Sequence, residues 1–153
     1  MKIVIASDHA GFSLKQHLIP YLTEQGHEII DLGVDTDTAS SDYPDAAEKV
    51  AQAILNGEAE RAIVTCGSGV GVSVAANKFP GIYCGVCHER YSAHQGVEHD
   101  RMNVLAMGAR VIGVKIAEEI ADAFLAAEAD PDERHVRRFG KVQAIEARYL
   151  KAE

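Results

Sequence analysis

The chain has 153 residues, 47% of them hydrophobic and 25% charged, with a formal net charge of −8. These figures fit one globular domain over 1–153 with a single sizeable core, and no apolar run approaches the ~18 residues of a membrane span. The acidic balance excludes a general nucleic-acid binder, whose affinity rests on phosphate contacts. Three cysteines, an odd number confined to 66–87, make no disulfide framework, so a cytoplasmic protein with free thiols is expected.

The predicted elements alternate strand and helix throughout. Residues 2–7 are an apolar run too short for a signal peptide and read as a first strand. After Gly11, a helix over 13–25 carries Leu14, His17, Leu18, Tyr21 and Leu22 at spacings of three and four, and Gly26 stops it. Residues 27–32 read as strand two and 33–41 as a polar loop. Pro44 sits at a favoured early helix position, and that helix runs to about residue 55. Strand three covers 61–66, a helix 70–77, strand four 81–86, a helix about 91–97, and strand five 104–107. An alanine-rich helix over 115–127 precedes a last helix over 132–150, with Gly140 as a candidate break.

This alternation predicts an α/β chain with a three-layer αβα, Rossmann-like fold and a five-stranded parallel sheet joined by right-handed crossovers. In such sheets ligands bind beyond the carboxyl ends of the strands, where strand order reverses. In the flavodoxin-like order that point lies between strands one and three, where Asp8-His9 and Cys66-Gly67 would converge.

The stretch Thr65-Cys66-Gly67-Ser68-Gly69-Val70-Gly71 carries the most chemistry. Cys66 precedes a helix start, a setting that favours the thiolate, and the bare glycine backbone lets N–H groups converge on an anion. The alternative is a buried cysteine packing as a small hydrophobe. The spacing departs from a dinucleotide fingerprint, because Val72 stands where a third glycine belongs, and no Gly-Lys-Ser/Thr follows for a P-loop. Cys84 and Cys87 form a Cys-x-x-Cys beside His88, but residues three apart on a strand face opposite ways, so core cysteines are expected rather than a zinc or redox pair. His99, just ahead of strand five, is placed at the sheet's carboxyl-side rim or a loop near it. There it could move protons near neutral pH or stand as a surface histidine, and His9 and His94 share that choice. Arg134 and Arg138, four apart on one helical face, could grip a phosphate together or pair with Asp132 and Glu133.

Taken together, Ser7-Asp8-His9-Ala10-Gly11-Phe12, Asp42-Tyr43-Pro44 and the Cys66–Gly71 loop resemble the ribose-5-phosphate isomerase B family. Ala75-Ala76-Asn77-Lys78, Glu98-His99-Asp100, and Asn103-Val104-Leu105 followed by Gly108-Ala109-Arg110-Val111-Ile112-Gly113 extend the resemblance along the chain. The resemblance implies an aldose–ketose isomerase of sugar phosphates that uses no metal and no cofactor and acts as a homodimer or tetramer with its active site shared between subunits. Nucleic acid and membrane are not implied partners. It assigns Cys66 as the base between C1 and C2, His99 to opening the furanose ring, and Ser68 to assistance near O1. Gly67, Gly69, Val70 and Gly71 would donate backbone hydrogen bonds to the enediolate. Asp8, His9, Asp100, Arg110, Arg134 and Arg138 would bind substrate, and the helix over 132–150 would serve both the phosphate site and the dimer. Ser68 stands where many relatives carry threonine, Asp100 where many carry asparagine, and Ser73 or Val74 where another branch places a glutamate base.

Overall fold

The structure, a computed structural model, describes residues 1–150. Its elements are β1 (Lys2–Ser7), α1 (Phe12–Glu24), β2 (Glu28–Asp31), α2 (Tyr43–Leu55), β3 (Arg61–Cys66) and α3 (Val70–Ala76). They continue with β4 (Cys84–Val86), α4 (Arg90–Asp100), β5 (Val104–Gly108), α5 (Val114–Ala126) and α6 (Glu133–Tyr149). The five strands are all parallel, in the order β2-β1-β3-β5-β4. The reversal point between β1 and β3 is where the sequence puts it. The last two strands are exchanged relative to the flavodoxin-like order, with β5 inside and the three-residue β4 at the edge.

The inner strands are continuous apolar runs because both faces are covered. Ile3, Ile5, Ile63, Leu105 and Met107 face α1, α4 and α5, packing on Leu14, Leu18, Leu22, Val97, Ile120 and Phe124. Val4, Ala6, Ala62, Val64, Val104 and Ala106 face α2 and α3, whose own contacts are mostly small: Ala46, Ala47, Ala51 and Ala76, with Val50 and Val72. Fully burying each Ile or Leu contributes about 1.5–3 kcal/mol, so the first face carries most of the apolar stabilisation. The alanine-rich second face brings α2 and α3 close to the sheet. Cys84 belongs to this second core and Cys87 to the first, on opposite faces of the sheet as their spacing requires.

Several boundaries move. Strand four loses residues 81–83, whose polar groups are taken by Asn103: its Oδ1 accepts the Tyr83 N–H and its Nδ2 donates to the Gly81 carbonyl. α6 runs unbroken through Gly140. The helix placed at 91–97 extends to Asp100 and takes in Glu98-His99-Asp100. It ends in an αL-type cap, with the Arg101 N–H donating to the Val97 carbonyl and the Met102 N–H to that of Gly96. The left-handed residue of this cap is Arg101 (φ 57°) rather than a glycine, so no local signal marks the stop. One ion pair with a buried cation is also absent from the periodicity. Lys15, at 0% exposure, reaches through α1 to Asp31 Oδ1 (2.6 Å) and the Val34 carbonyl (2.8 Å).

Candidate active site

The carboxyl ends of β1 and β3 form the floor of a cleft of ≈ 430 Å³ that holds Asp8, His9, Tyr43, Cys66, Gly67, Ser68, Gly71 and Arg110. Adjacent register brings the two chemical segments together: Ser7 pairs with Thr65, and the Asp8 N–H donates to the Thr65 carbonyl at 3.3 Å. The start of α1 lies directly on β3. Thr65 Oγ1 donates to the Gly11 carbonyl at 2.9 Å, and a Cβ on Gly11 would sit 2.3 Å from the Thr65 oxygen. Glycine is required there by contact.

Cys66 is 5% exposed and ends β3. The loop after it folds back so that the Gly69 N–H donates to Sγ at 3.1 Å. Gly69 has φ +80°, which glycine adopts without strain, and its Cβ position lies 3.0 Å from the Met107 backbone. The Val70 N–H is spent on Ser68 Oγ at 3.2 Å. Among the described residues no acceptor lies within hydrogen-bonding reach of the Ser68 or Gly71 amide, which leaves both for an external oxygen. Val70 itself is exposed and outside the cleft lining, so its expected donation to an enediolate is replaced by this internal bond. The other two thiols are inert by comparison. Burial pushes Cys84 up to about 12 and Cys87 up to about 11, which keeps both protonated at neutral pH.

Around the sulfur, Asp8 Oδ1 accepts the Gly11 N–H at 2.9 Å, which fixes the carboxylate at the start of α1. The His9 ring is held by the 33–42 segment, with the Ser41 N–H donating to Nδ1 at 3.1 Å. The Arg110 side chain lies across Gly67, its Nη1 3.1 Å from where a Cβ would be. No carboxylate stands within 4.0 Å of its guanidinium among the described residues. An unpaired guanidinium on a chain of net charge −8 marks an anion position. Two residues, one lining the cleft and one beside it, escape assignment from sequence. Tyr43, at the start of α2, lays its ring 3.0 Å from the Gly71 Cβ position, and His88 Nε2 accepts the Gly108 N–H beside Cys66. Tyr43 stands in a motif already quoted, but nothing local gives its side chain a direction.

His99 is not in this cleft. It lies on the last turn of α4, which runs back along the sheet and delivers the chain to the amino end of β5. The β3–β5 ladder from Ala62–Val104 to Cys66–Gly108 puts roughly 13 Å between the two ends. The expected carboxyl-side position of His99 is therefore corrected, because α4 runs three residues further, through Glu98-His99-Asp100, toward the amino end of β5. At the amino end it stacks on His135, with ring centroids 3.8 Å apart, beside Asp130, while Arg134 and Arg138 follow along α6. The Asp132 N–H, donating at 2.8 Å, holds the Asp130 carboxyl below its usual range, and the neighbouring His135, His99 and Arg134 add to this. Arg134 pairs with Asp132 at 3.5 Å, and Arg138 has no carboxylate within 4.0 Å among the described residues. Asp100 is exposed and lines a separate cleft beside β4. The predicted site thus falls into two halves, one with Cys66, Ser68, Asp8, His9 and Arg110, the other with His99, Arg134 and Arg138. None of the helices among the described residues is long and apolar enough to cross a membrane.

Comparison with known proteins follows this geometry. The sequence profile described as Ribose/Galactose Isomerase matches residues 3–142. The chain is 45% identical over 147 residues to ribose-5-phosphate isomerase B of Escherichia coli (strain K12), covering 96% of this chain and 97% of that protein. It is 39% identical to the D-erythrulose-4-phosphate isomerase of Pectobacterium atrosepticum, covering 84% of each. The solved structure of Clostridium thermocellum ribose-5-phosphate isomerase B superposes with a TM-score of 0.94 at 46% identity, over 98% of this chain and 100% of that one.

Proposed function

This chain belongs to the ribose/galactose isomerase family and is a sugar-phosphate isomerase, and on that premise we propose that it interconverts D-ribose 5-phosphate and D-ribulose 5-phosphate. The observation that carries this reading is the Cys66 sulfur, which receives the Gly69 N–H at the bottom of a glycine-walled cleft beside an unpaired Arg110. Aldose–ketose isomerisation needs one base that reaches both C1 and C2. Cys66 takes the C2 proton of the open aldose and returns it to C1. Donors must face the oxygen where charge develops, and the Ser68 and Gly71 amides and the Ser68 hydroxyl are placed for it. Asp8 and His9 hold sugar hydroxyls. No covalent bond to sulfur forms.

The second half-site belongs to the same reaction. Ring opening breaks the C1–O4 bond, takes the proton of the C1 hydroxyl and gives one to O4. These atoms adjoin the C1–C2 pair that Cys66 serves, and a proton-transfer group works at roughly 3 Å. Two groups at opposite ends of one sheet cannot both meet that demand. A second copy of the chain, supplying His99 with Arg134 and Arg138 as the phosphate clamp, resolves it. The surfaces support this. α6 has one buried residue, His135, and leaves Val136, Val142, Ile145 and Tyr149 exposed, while Val70, Val74 and Val111 lie exposed near the Cys66 cleft. We therefore infer a homodimer, or a tetramer built from it, with shared active sites. Three free cysteines fit the reducing cytoplasm.

Cys66→Ala is expected to abolish turnover while sparing binding of a phosphate ligand, and a variant with near wild-type rate would remove the thiol from the mechanism. A four-carbon substrate is the second reading, favoured by the Pectobacterium relative. Comparing kcat/KM across ribose 5-phosphate, erythrose 4-phosphate, allose 6-phosphate and galactose 6-phosphate decides between them.

A further inference from the structure

The stacked histidine pair at the amino end of the sheet is not used by the mechanism above beyond His99 itself. The His99 and His135 rings lie 3.8 Å apart with 13° between their planes. His135 is 3% exposed, and its Nε2 has no hydrogen-bond partner among the described residues. Asp130 Oδ2 stands 3.7 Å away, beyond hydrogen-bonding distance. An imidazole nitrogen buried and left unpaired costs free energy that a carbon in the same place would not.

The frame holding the pair is rigid. The Asp130 N–H donates to the Glu98 carbonyl at 2.9 Å. Arg101 donates from Nη1 to the same carbonyl at 2.6 Å and from Nη2 to the Asp130 carbonyl at 2.7 Å. Across the segment, the Asp132 carbonyl accepts the His135 N–H at 3.0 Å. The last turn of α4 and the first turn of α6 are thereby tied together, each contributing one ring of the stack.

A shared metal ion is one use for this cluster, since ligand atoms of His99, Asp130 and His135 lie within 4.8 Å of one another. The stack argues against it. Rings nearly parallel and face to face direct their nitrogens side by side, whereas a bound ion must lie near both ring planes. We propose instead that His135 is the positioning residue for His99: its buried ring, backed by the Asp130 carboxylate, fixes the plane of the His99 imidazole for the proton transfers of ring opening. An isolated half-exposed histidine at a helix end turns about two side-chain bonds, and a proton shuttle that must serve the C1 hydroxyl and O4 in turn loses rate with each unproductive orientation.

This inference rests on the reading of His99 as the ring-opening group, and the test separates the two. Ribulose 5-phosphate and erythrose 4-phosphate are open-chain, because neither has a free hydroxyl placed to close a five-membered ring. Proton exchange at C1 of ribulose 5-phosphate in deuterated water and turnover of erythrose 4-phosphate therefore bypass ring opening, whereas consumption of ribose 5-phosphate requires it. His99→Asn is the control. If it does not lose ribose 5-phosphate turnover selectively, the underlying reading fails. Given that selective loss, His135→Asn, which removes the plane and keeps polarity, is expected to lower kcat on ribose 5-phosphate about tenfold and to leave ribulose 5-phosphate exchange within about twofold. His135→Phe, which keeps a flat ring, is expected to retain both within about threefold. Equal losses on closed and open substrates, a loss in His135→Phe as large as in His135→Asn, or no loss in His135→Asn each overturn the proposal. Should His135→Asn not fold, Asp130→Asn on the half-exposed segment takes its place, with the same selectivity expected at about threefold and an unselective or null effect overturning it.

Discussion

Two inactive variants should restore each other when mixed. On the proposed mechanism Cys66→Ala lacks the base and His99→Asn lacks the ring opener, and roughly 13 Å of ladder separates their ends of the sheet within one chain. If each active site takes Cys66 from one copy and His99 from the other, a hybrid dimer has one doubly defective site and one intact site. Random reassociation of equal amounts makes about half of all dimers hybrid, so the mixture should reach about one quarter of wild-type activity on ribose 5-phosphate. The assay is ketose formation after the two purified variants are mixed, dissociated in mild denaturant and returned to buffer, with each variant alone treated identically. The same fraction holds for a tetramer made of such dimers. A mixture no more active than its components, with hybrid formation confirmed by native mass spectrometry, would refute the shared site. So would a fraction above one half, which dimers with one intact site of two cannot supply.

Four other perturbations check the local physics. Iodoacetamide at pH 8 should label Cys66 with loss of activity and leave Cys84 and Cys87 unmodified, since burial raises those two to about 12 and about 11; peptide mass spectrometry showing Cys84 labelled first would contradict this. Gly11→Ala forces a Cβ to 2.3 Å from the Thr65 carbonyl, and should cost about 3 kcal/mol in urea unfolding and lower kcat by shifting Cys66. Asp31→Ala strands the buried Lys15 ammonium, and should cost about 3–5 kcal/mol, visible as a lowered urea midpoint with unchanged slope. Hydrogen bonds from Lys115 and then His17 hold the Glu118 carboxyl below its usual 4.5. Its contribution is therefore complete above that pH and lost as pH falls through the lower folded value. Glu118→Gln should flatten the acid side of the stability profile, and an unchanged slope below about pH 4.5 would show that Glu118 carries none of it.

Much of the architecture was legible because its signals are local. β1 and β3 match their predicted spans residue for residue, since strands covered on both faces must be uninterrupted apolar runs. The glycine loop after Cys66 was equally plain, and with it the half of the site built on β1 and β3. Elsewhere the decisive contact came from far along the chain. The extension of α4 through Asp100 rests on Arg101 in the left-handed region, held by carbonyls of Glu98 and Asp130, and a sequence reading looks for glycine there. The burial of Lys15 depends on Asp31 and Val34, and Tyr43 enters the cleft because the start of α2 packs its ring on Gly71 in α3.

The sequence by itself determined the layers, the parallel sheet, the reversal point between β1 and β3, and a thiol at a strand end facing bare backbone. Periodicity, glycine and strand-end chemistry act within a few residues and need no partner to be read. The tertiary structure alone decided that β5 lies inside β4, which amides of the loop are spent and which are open, and that His99 stands at the far end of the sheet from Cys66. Strand order and helix run-on are settled by packing between segments tens of residues apart. The two predicted half-sites, Cys66 with Ser68 and His99 with Arg134 and Arg138, consequently stand apart within one chain, which is why we propose that a second copy completes each site.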